Sequence, residues 1–251
     1  ETTCSGGVIA NISIASGSSS GTFRWKDTTA AVRTLTGTDN AALLVAGALA
    51  VTVGPDRLDL AGSSPIRSGD CTAYTITSRD AALNATNALS NITVDLTDTT
   101  ATGAYYATAD TTCAGAPITQ VVLASGASAV TVYYKDDVKE AVTLTVADNN
   151  AAYLTGDTLN VAVGPRTINI TGTTPIRAGE CTLYTATAKD QAGNTAAVLV
   201  NTQVNFTDAT ATGEFYAAAD TTCSGGAISN ISIASGSSSG TFRWKDTTAA
   251  T

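Results

Sequence analysis

SSPIRSGDCTAYTITSRD, residues 63–80, returns as TTPIRAGECTLYTATAKD, residues 173–190, and the step from one copy to the other is the unit on which the chain is built. Each copy runs from a Pro-Ile-Arg-x-Gly turn through a cysteine into an alternation of polar and apolar side chains. Period two puts Tyr74 and Ile76 on one face, the signature of a half-buried antiparallel strand. Gly54-Pro55 and Gly164-Pro165 stand upstream in the same register, and GAYYATADTTC (103–113) matches GEFYAAADTTC (213–223) downstream.

At twice this spacing the likeness sharpens. Thr2 to Ala31 returns near the other end of the chain as Thr221 to Ala250, differing only at Val8/Ala227 and Ala10/Ser229. A unit of about 110 residues is one small domain, longer than the short repeats of helical solenoids. With Gly-Pro as the junction, the sequence predicts a window on a repeat array: the tail of one domain (1–53), a complete domain (54–163) and the front of a third (164–251).

The complete unit predicts strands near Leu58–Leu60, Ala73–Ser78, Ile92–Leu96, Ala104–Ala107, Ile118–Leu123, Val130–Tyr134, Val142–Val146 and Leu159–Val163. Seven or eight short strands specify an all-β sandwich. Parity turns Tyr74, Ile76, Val94, Leu96, Val121, Leu123, Val132, Tyr134, Val142, Leu144 and Val146 inward. Phe206 takes the place of Leu96, and Phe23 with Trp25 that of Val132 with Tyr134, so these aromatics, like Phe242 and Trp244, read as core rather than as a sugar-stacking platform.

The cysteines repeat with the units. Cys71 to Cys113 and Cys181 to Cys223 each span 42 residues, while Cys4, the equivalent of Cys113, has an expected partner before Glu1. A thiol pair at fixed spacing, without CxxC and without histidine anywhere, favours disulfides Cys71–Cys113 and Cys181–Cys223 in an oxidising compartment over free buried thiols. Each such loop stabilises by about 3–4 kcal/mol on the chain-entropy model.

A net charge of −8 and 14% charged residues, without a basic cluster, exclude a nucleic-acid binder and disfavour anionic lipid. The longest apolar run, Ala41 to Val53, is shorter than the ~20 residues of a membrane span. There is no methionine and no signal peptide, so an export signal or anchor is expected elsewhere in a parent chain.

The turn Lys189-Asp190-Gln191-Ala192-Gly193-Asn194, the strand Gly213 to Tyr216, and the Gly/Ser turn leading into an aromatic strand ending Lys26-Asp27 together resemble the bacterial immunoglobulin-like domains found in tandem on surface adhesins of the invasin and intimin group. The middle unit departs at Asp80-Ala81-Ala82-Leu83-Asn84, which lacks the glycine. The resemblance implies tandem immunoglobulin-like β-sandwich domains of about 110 residues serving as an extracellular spacer or adhesive stalk, and supplies no catalytic residues.

Gly17-Ser18-Ser19-Ser20-Gly21, repeated at Gly236 to Gly240, formally matches a G-x-S-x-G nucleophile elbow, but the chain has no histidine and the segment joins two strands; it reads as a hairpin turn. Asp80, Asp190, Asp70 and Glu180 lie at turns where carboxylates could collect calcium between domains, but no D-x-[DN]-x-[DN]-G spacing is present and an aspartate is expected in a turn anyway, where its side chain caps the local backbone. Sequons at Asn11, Asn84, Asn91, Asn169, Asn205 and Asn230 are candidate N-glycosylation sites, mostly outward by parity; a Thr-rich strand also produces them by accident. Lys26, Lys135 and Lys245 are candidates for isopeptide crosslinks. No group combines nucleophile, base and orienting residue, so no enzyme is expected. The sequence thus predicts a structural segment of an extracellular fibre, stalk or sheath, associating with neighbouring repeats of its own kind. A binding module with recognition loops is the alternative, and strand donation between separate subunits competes with one continuous chain.

Overall fold

The structure, a computed structural model, describes residues 4–150, 154–209 and 212–249. The strands among these residues are β1 (Val32–Gly37), β2 (Gly47–Thr52), β3 (Arg57–Gly62), β4 (Ile66–Arg67), β5 (Thr72–Arg79), β6 (Ile92–Asp98), β7 (Gly103–Tyr106), β8 (Gln120–Leu123), β9 (Ala129–Asp136), β10 (Ala141–Asp148), β11 (Asp157–Gly164), β12 (Thr167–Gly172), β13 (Thr182–Lys189), β14 (Thr202–Asn205), β15 (Gly213–Ala217), β16 (Asn230–Ile233) and β17 (Ser239–Asp246). No helix occurs among the described residues.

Strands β3 to β11 form one immunoglobulin-like sandwich. One sheet has the order β3-β5-β9-β7 and the other β4-β11-β10-β6-β8. Every strand the sequence predicts in this stretch is present, and the two-residue β4, too short to carry a period, is added. Of the inward set, Tyr74, Ile76, Val94, Leu96, Leu123, Val132, Tyr134, Val142, Leu144 and Val146 are buried, with Val121 packed at the margin. Tyr74 lies over Gly62, its register partner, where an added Cβ would meet the ring at 2.1 Å, and its hydroxyl donates to the Ser63 carbonyl. Gly172 and Tyr184 repeat the arrangement.

Strands β12 to β17 repeat β3, β5, β6, β7, β8 and β9 in that order, with sheets β12-β13-β17-β15 and β14-β16. Their core is aromatic: Phe206 lies 4.1 Å from Phe242 and 4.9 Å from Phe215, ring centre to ring centre. Counterparts of β10 and β11 do not occur here among the described residues. They occur instead near the start of the chain, where β1 and β2 form a two-stranded sheet.

Two sequence expectations change. First, the Gly17–Gly21 type of segment is not a hairpin turn: β8 and β9 belong to opposite sheets, as do β16 and β17, so the segment arches across the core. Second, Phe23 and Trp25 are exposed, whereas their counterparts Phe242 and Trp244 are buried and half-buried. The reason is the same in both cases. Strands joined by an arch are not each other's partners, so each needs a neighbour from elsewhere, and residues 11–27 pair with no strand among the described residues. The local turn persists without them: Ser18 N–H donates to the Ala15 carbonyl at 2.9 Å, as Ser237 does to Ala234, and Gly17 and Gly236 have φ of +86° and +82°.

Leu144 and Leu35 occupy equivalent places in β10 and β1, but only Leu144 is sealed in a sandwich. Leu144→Ala is therefore expected to destabilise the middle sandwich by about 2–5 kcal/mol. Leu35→Ala is expected to cost less than about 1 kcal/mol. Denaturant unfolding of the two variants checks the difference.

Candidate functional site: the junctions between sandwiches

Asp80 and Asp190 each end the long strand of the 63–80 type, at β5 and β13, and both are buried. An aspartate here folds the following turn around its own carboxylate, because its oxygens accept the N–H groups that the turn leaves unpaired. Asp80 Oδ1 accepts from Ala82 and Asn84 N–H at 3.0 and 2.9 Å, and Asn84 Nδ2 donates to the same carboxylate. Asp190 Oδ1 accepts Asn194 N–H at 2.8 Å, and Asn194 Nδ2 donates to Oδ2 at 3.2 Å. Leu83 holds the place of Gly193 with the same left-handed backbone, φ +69° against +87°. The missing glycine thus leaves the turn intact, at a conformational cost that Gly193 avoids.

One oxygen of each carboxylate reaches across to the preceding unit. Asp80 Oδ2 accepts Ala30 N–H at 3.0 Å, and Asp190 Oδ2 accepts Lys139 N–H at 3.2 Å. In return Ala82 N–H donates to the Thr28 carbonyl at 3.2 Å and Ala192 N–H to the Asp137 carbonyl at 3.1 Å. Beside these bonds Leu89 packs on Gly54 and Leu199 on Gly164, so close that a Cβ would come within 2.7 and 3.0 Å of a leucine methyl. Each contact at the first junction maps onto its counterpart at the second by one step of the sequence repeat. The two junctions are one interface used twice, and a Cβ on the Gly of Gly-Pro would displace the leucine.

At the second junction Ser68 and Asp70, from the turn that opens the middle sandwich's long strand, also take part. Arg166 Nη1 lies 2.7 Å from Asp70 Oδ1 and donates to the Ser68 carbonyl at 3.1 Å, while buried Ser68 accepts Gln191 N–H through Oγ at 2.9 Å. The half-exposed Arg166–Asp70 pair is worth about 0.2–1 kcal/mol.

The electrostatics follow from these partners. Ala30 N–H, ahead of the Asn84 groups, holds the Asp80 carboxyl below the usual 3.8 against the opposing effect of burial. At Asp190 burial is the largest influence and pushes upward, but the Asn194 and Lys139 N–H groups outweigh it and the net displacement is downward. Asp136, fully buried just before the Asp137–Lys139 segment, moves the other way: burial, with the charge of Glu140 adding to it, raises its carboxyl to about 6.

Of the four turn carboxylates, Asp80 and Asp190 are thus occupied as junction latches, Asp70 faces Arg67 and Arg166, and Glu180 Oε2 accepts Arg177 N–H. The described residues contain no group of three or more metal-ligating side chains. The structure joins Cys71 to Cys113 and Cys181 to Cys223, with Cα atoms 5.5 and 5.6 Å apart, and leaves Cys4 free and exposed. Asn11, Asn91, Asn169 and Asn205 lie exposed and Asn230 half-buried, whereas Asn84 spends its side-chain nitrogen on Asp80. Lys135 Nζ is 3.4 Å from Asp137 Oδ1, and Lys245 Nζ donates to the Cys223 carbonyl. The sequence pointed to the carboxylates but to neither Ser68, Arg166 nor the two leucines; Leu89 and Leu199 recur at the repeat spacing and were detectable from it.

No protein-family model and no curated protein matches the chain. Among solved structures, the chain is similar to domains 5–6 of the S-layer protein SbsC, at 13% identity and TM-score 0.31, over 76% of this chain and 84% of that one. It is similar also to the Escherichia coli adhesin FdeC, at 18% and 0.44, over 86% of this chain and 66% of the other. A third likeness is to the D0–D1 domain of intimin, at 12% and 0.31, over 76% and 85%. At these scores the fold rests on the sheets and cores described above. No helix of the described residues is long and apolar enough to cross a membrane.

A carboxyl held below 3.8 in the folded chain contributes stability above that pH and loses it as pH falls through the lower folded value. The Ala30 and Lys139 amide resonances are therefore expected to titrate together with the junction, with NMR midpoints below 3.8; midpoints at or above 3.8 would contradict the latch. The raised Asp136 works in the opposite sense, costing stability when ionised above about 6 and nothing when protonated in both states. Asp136→Asn is expected to raise the urea midpoint of the middle sandwich at pH 7 and to leave it nearly unchanged at pH 3, as measured by urea unfolding.

Proposed function

We propose that the chain is a non-enzymatic structural segment of a long extracellular fibre, stalk or sheath, built from tandem immunoglobulin-like domains with boundaries at 53/54 and 163/164. The observation that carries this reading is the junction that recurs: the same carboxylate latch, return hydrogen bond and leucine-on-glycine contact, one repeat apart. A flexible tether between independent binding modules needs no such contacts, whereas a member that must hold direction along its length needs every one of them. Inter-domain contacts of this kind oppose the relative motion that linked domains otherwise show.

The disulfides fit the same role. Each clips the start of a long strand to the loop beyond its sheet neighbours, and Cys71–Cys113 and Cys181–Cys223 act as crosslinks against extension and proteolysis. Disulfides used in this way support an oxidising, extracellular setting. The partners of the segment are then further repeats of the same protein, with calcium and glycans unnecessary to the mechanics.

Small-angle scattering on dilute protein tests the reading. The wild-type chain is expected to fit one extended particle with a fixed angle between the middle and third sandwiches, and the double variant Asp190→Ala/Arg166→Ala a broad distribution of angles. A wild-type profile already as broad as the variant's would refute it.

A further inference from the structure

We propose that Asp136 and Glu140 hold one proton between their carboxyl groups, and that this proton sets how readily the second junction opens. The inference deepens the fibre reading and rests on its fixed junction.

The two acids bracket the segment on which the junction stands. Asp136 ends β9 and Glu140 immediately precedes β10. Between them, the Asp137 carbonyl accepts Ala192 N–H and Lys139 N–H donates to Asp190, so both bonds reach the third sandwich. At its two ends the segment is tied into the middle sandwich. The Asp136 carbonyl accepts Gly69 N–H at 2.6 Å, and the Glu140 carbonyl accepts Val163 N–H at 2.8 Å. A contact between the side chains of 136 and 140 therefore closes a loop whose tip touches the next unit.

That contact needs a proton. Asp136 is fully buried; its Oδ1 accepts Val138 N–H at 2.8 Å, but its Oδ2 has no hydrogen-bond partner. The Glu140 carboxyl lies within hydrogen-bonding reach of Asp136, and the neighbouring Thr102 hydroxyl gives its hydrogen to Glu140 Oε1. Two ionised carboxylates here would set a buried anionic oxygen without a donor against a like charge. One proton turns the same contact into a charge-assisted O–H···O bond.

The other groups around Asp136 supply no substitute. From β6, Asp98 adds negative charge and spends Oδ1 on Thr100 N–H at 2.9 Å. From β7, the Tyr105 hydroxyl donates to the Thr97 carbonyl, and on β9 the buried Tyr134 hydroxyl is unpaired. Lys135 is paired with Asp137 at 3.4 Å, Arg67 and Arg166 with Asp70, and Lys139 meets the Asp190 carboxylate through its backbone N–H.

Burial and the Glu140 charge keep the Asp136 carboxyl protonated up to about 6 in the closed junction, and opening returns it towards the ordinary 3.8. Opening then releases a proton and becomes easier as pH rises, by about ten-fold between pH 5 and pH 7. The Asp190 latch stays ionised across this range, and the opened form stays a minor population, so the mean junction geometry is unchanged. At the place of Glu140 the other units carry Ala31 and Ala250, so the first junction has no carboxyl there to share a proton.

Hydrogen exchange by NMR on the whole chain tests this, as protection corrected for the intrinsic pH dependence of exchange. Protection of Ala192 N–H is expected to fall about ten-fold from pH 5 to pH 7, and that of Ala82 N–H, its counterpart at the first junction, to stay constant. Asp136→Asn, whose amide donates to Glu140 without a titrating proton, is expected to keep the pH 5 protection at pH 7. Glu140→Gln, whose amide donates to an ionised Asp136, is expected to abolish the pH dependence. Constant Ala192 protection in the wild type, an equal fall at Ala82, or a fall that survives Glu140→Gln would overturn the proposal; the last would assign the effect to burial of Asp136 alone. A fall that millimolar calcium removes would also overturn it, by giving the orphaned oxygen a cation in place of a proton. Constant protection together with a fixed junction angle in scattering overturns the shared proton and leaves the fibre reading standing, whereas a broad angle removes both.

Discussion

A β-strand is stable only when its edges are paired and its apolar face is covered, and every feature of this chain follows from where that condition is met. Residues 11–31 and 230–250 are identical, yet the second copy supplies β16 and β17 and the first supplies no strand before Val32. Propensity, pattern and turn chemistry are the same in both. What differs is the supply of neighbours: β14 for one strand, β13 and β15 for the other. Because an arch sends the two strands to opposite sheets, neither can serve the other, and the Gly/Ser turn forms without a ladder behind it.

The same condition explains how sandwiches become an array. A unit that ends on a Val-Gly-Pro strand passes directly into the first strand of the next, and the step is fixed by groups that would otherwise be unpaired: backbone N–H groups from the segment before the hairpin and the second oxygen of a buried carboxylate. Burial alone would make that carboxylate expensive. Surrounded by N–H donors from its own turn and from the neighbouring unit, it is held ionised and becomes a directional connector. Gly54 and Gly164 matter for close approach, since the junction leucine lies where a side chain would be.

Much of this was legible in the sequence, because the repeat supplies an internal comparison. Period-two alternation located the strands of the middle sandwich and the facing of Tyr74, Val94 and Leu144, and like-for-like exchange marked Phe206 as core. Three things were not legible, each for a physical reason. The arch looked like a hairpin because a turn's residues report its own backbone and not the sheet its strands will join. Phe23 and Trp25 looked buried because burial depends on neighbours that local sequence does not contain. The reach of Asp80 and Asp190 across the junction was hidden, because a carboxylate that caps its own turn looks the same in sequence whether or not its second oxygen meets N–H groups of a neighbouring unit.

The most direct measurement is hydrogen exchange of the two identical segments within one chain, resolved residue by residue by NMR after segmental labelling. The dependence of strand formation on supplied neighbours predicts slow exchange for the paired amides of 231–233 and 240–246 and fast exchange for 12–14 and 21–27, although the letters are the same. Equal protection of both segments would show that the sequence forms its strands without those neighbours, and would contradict it.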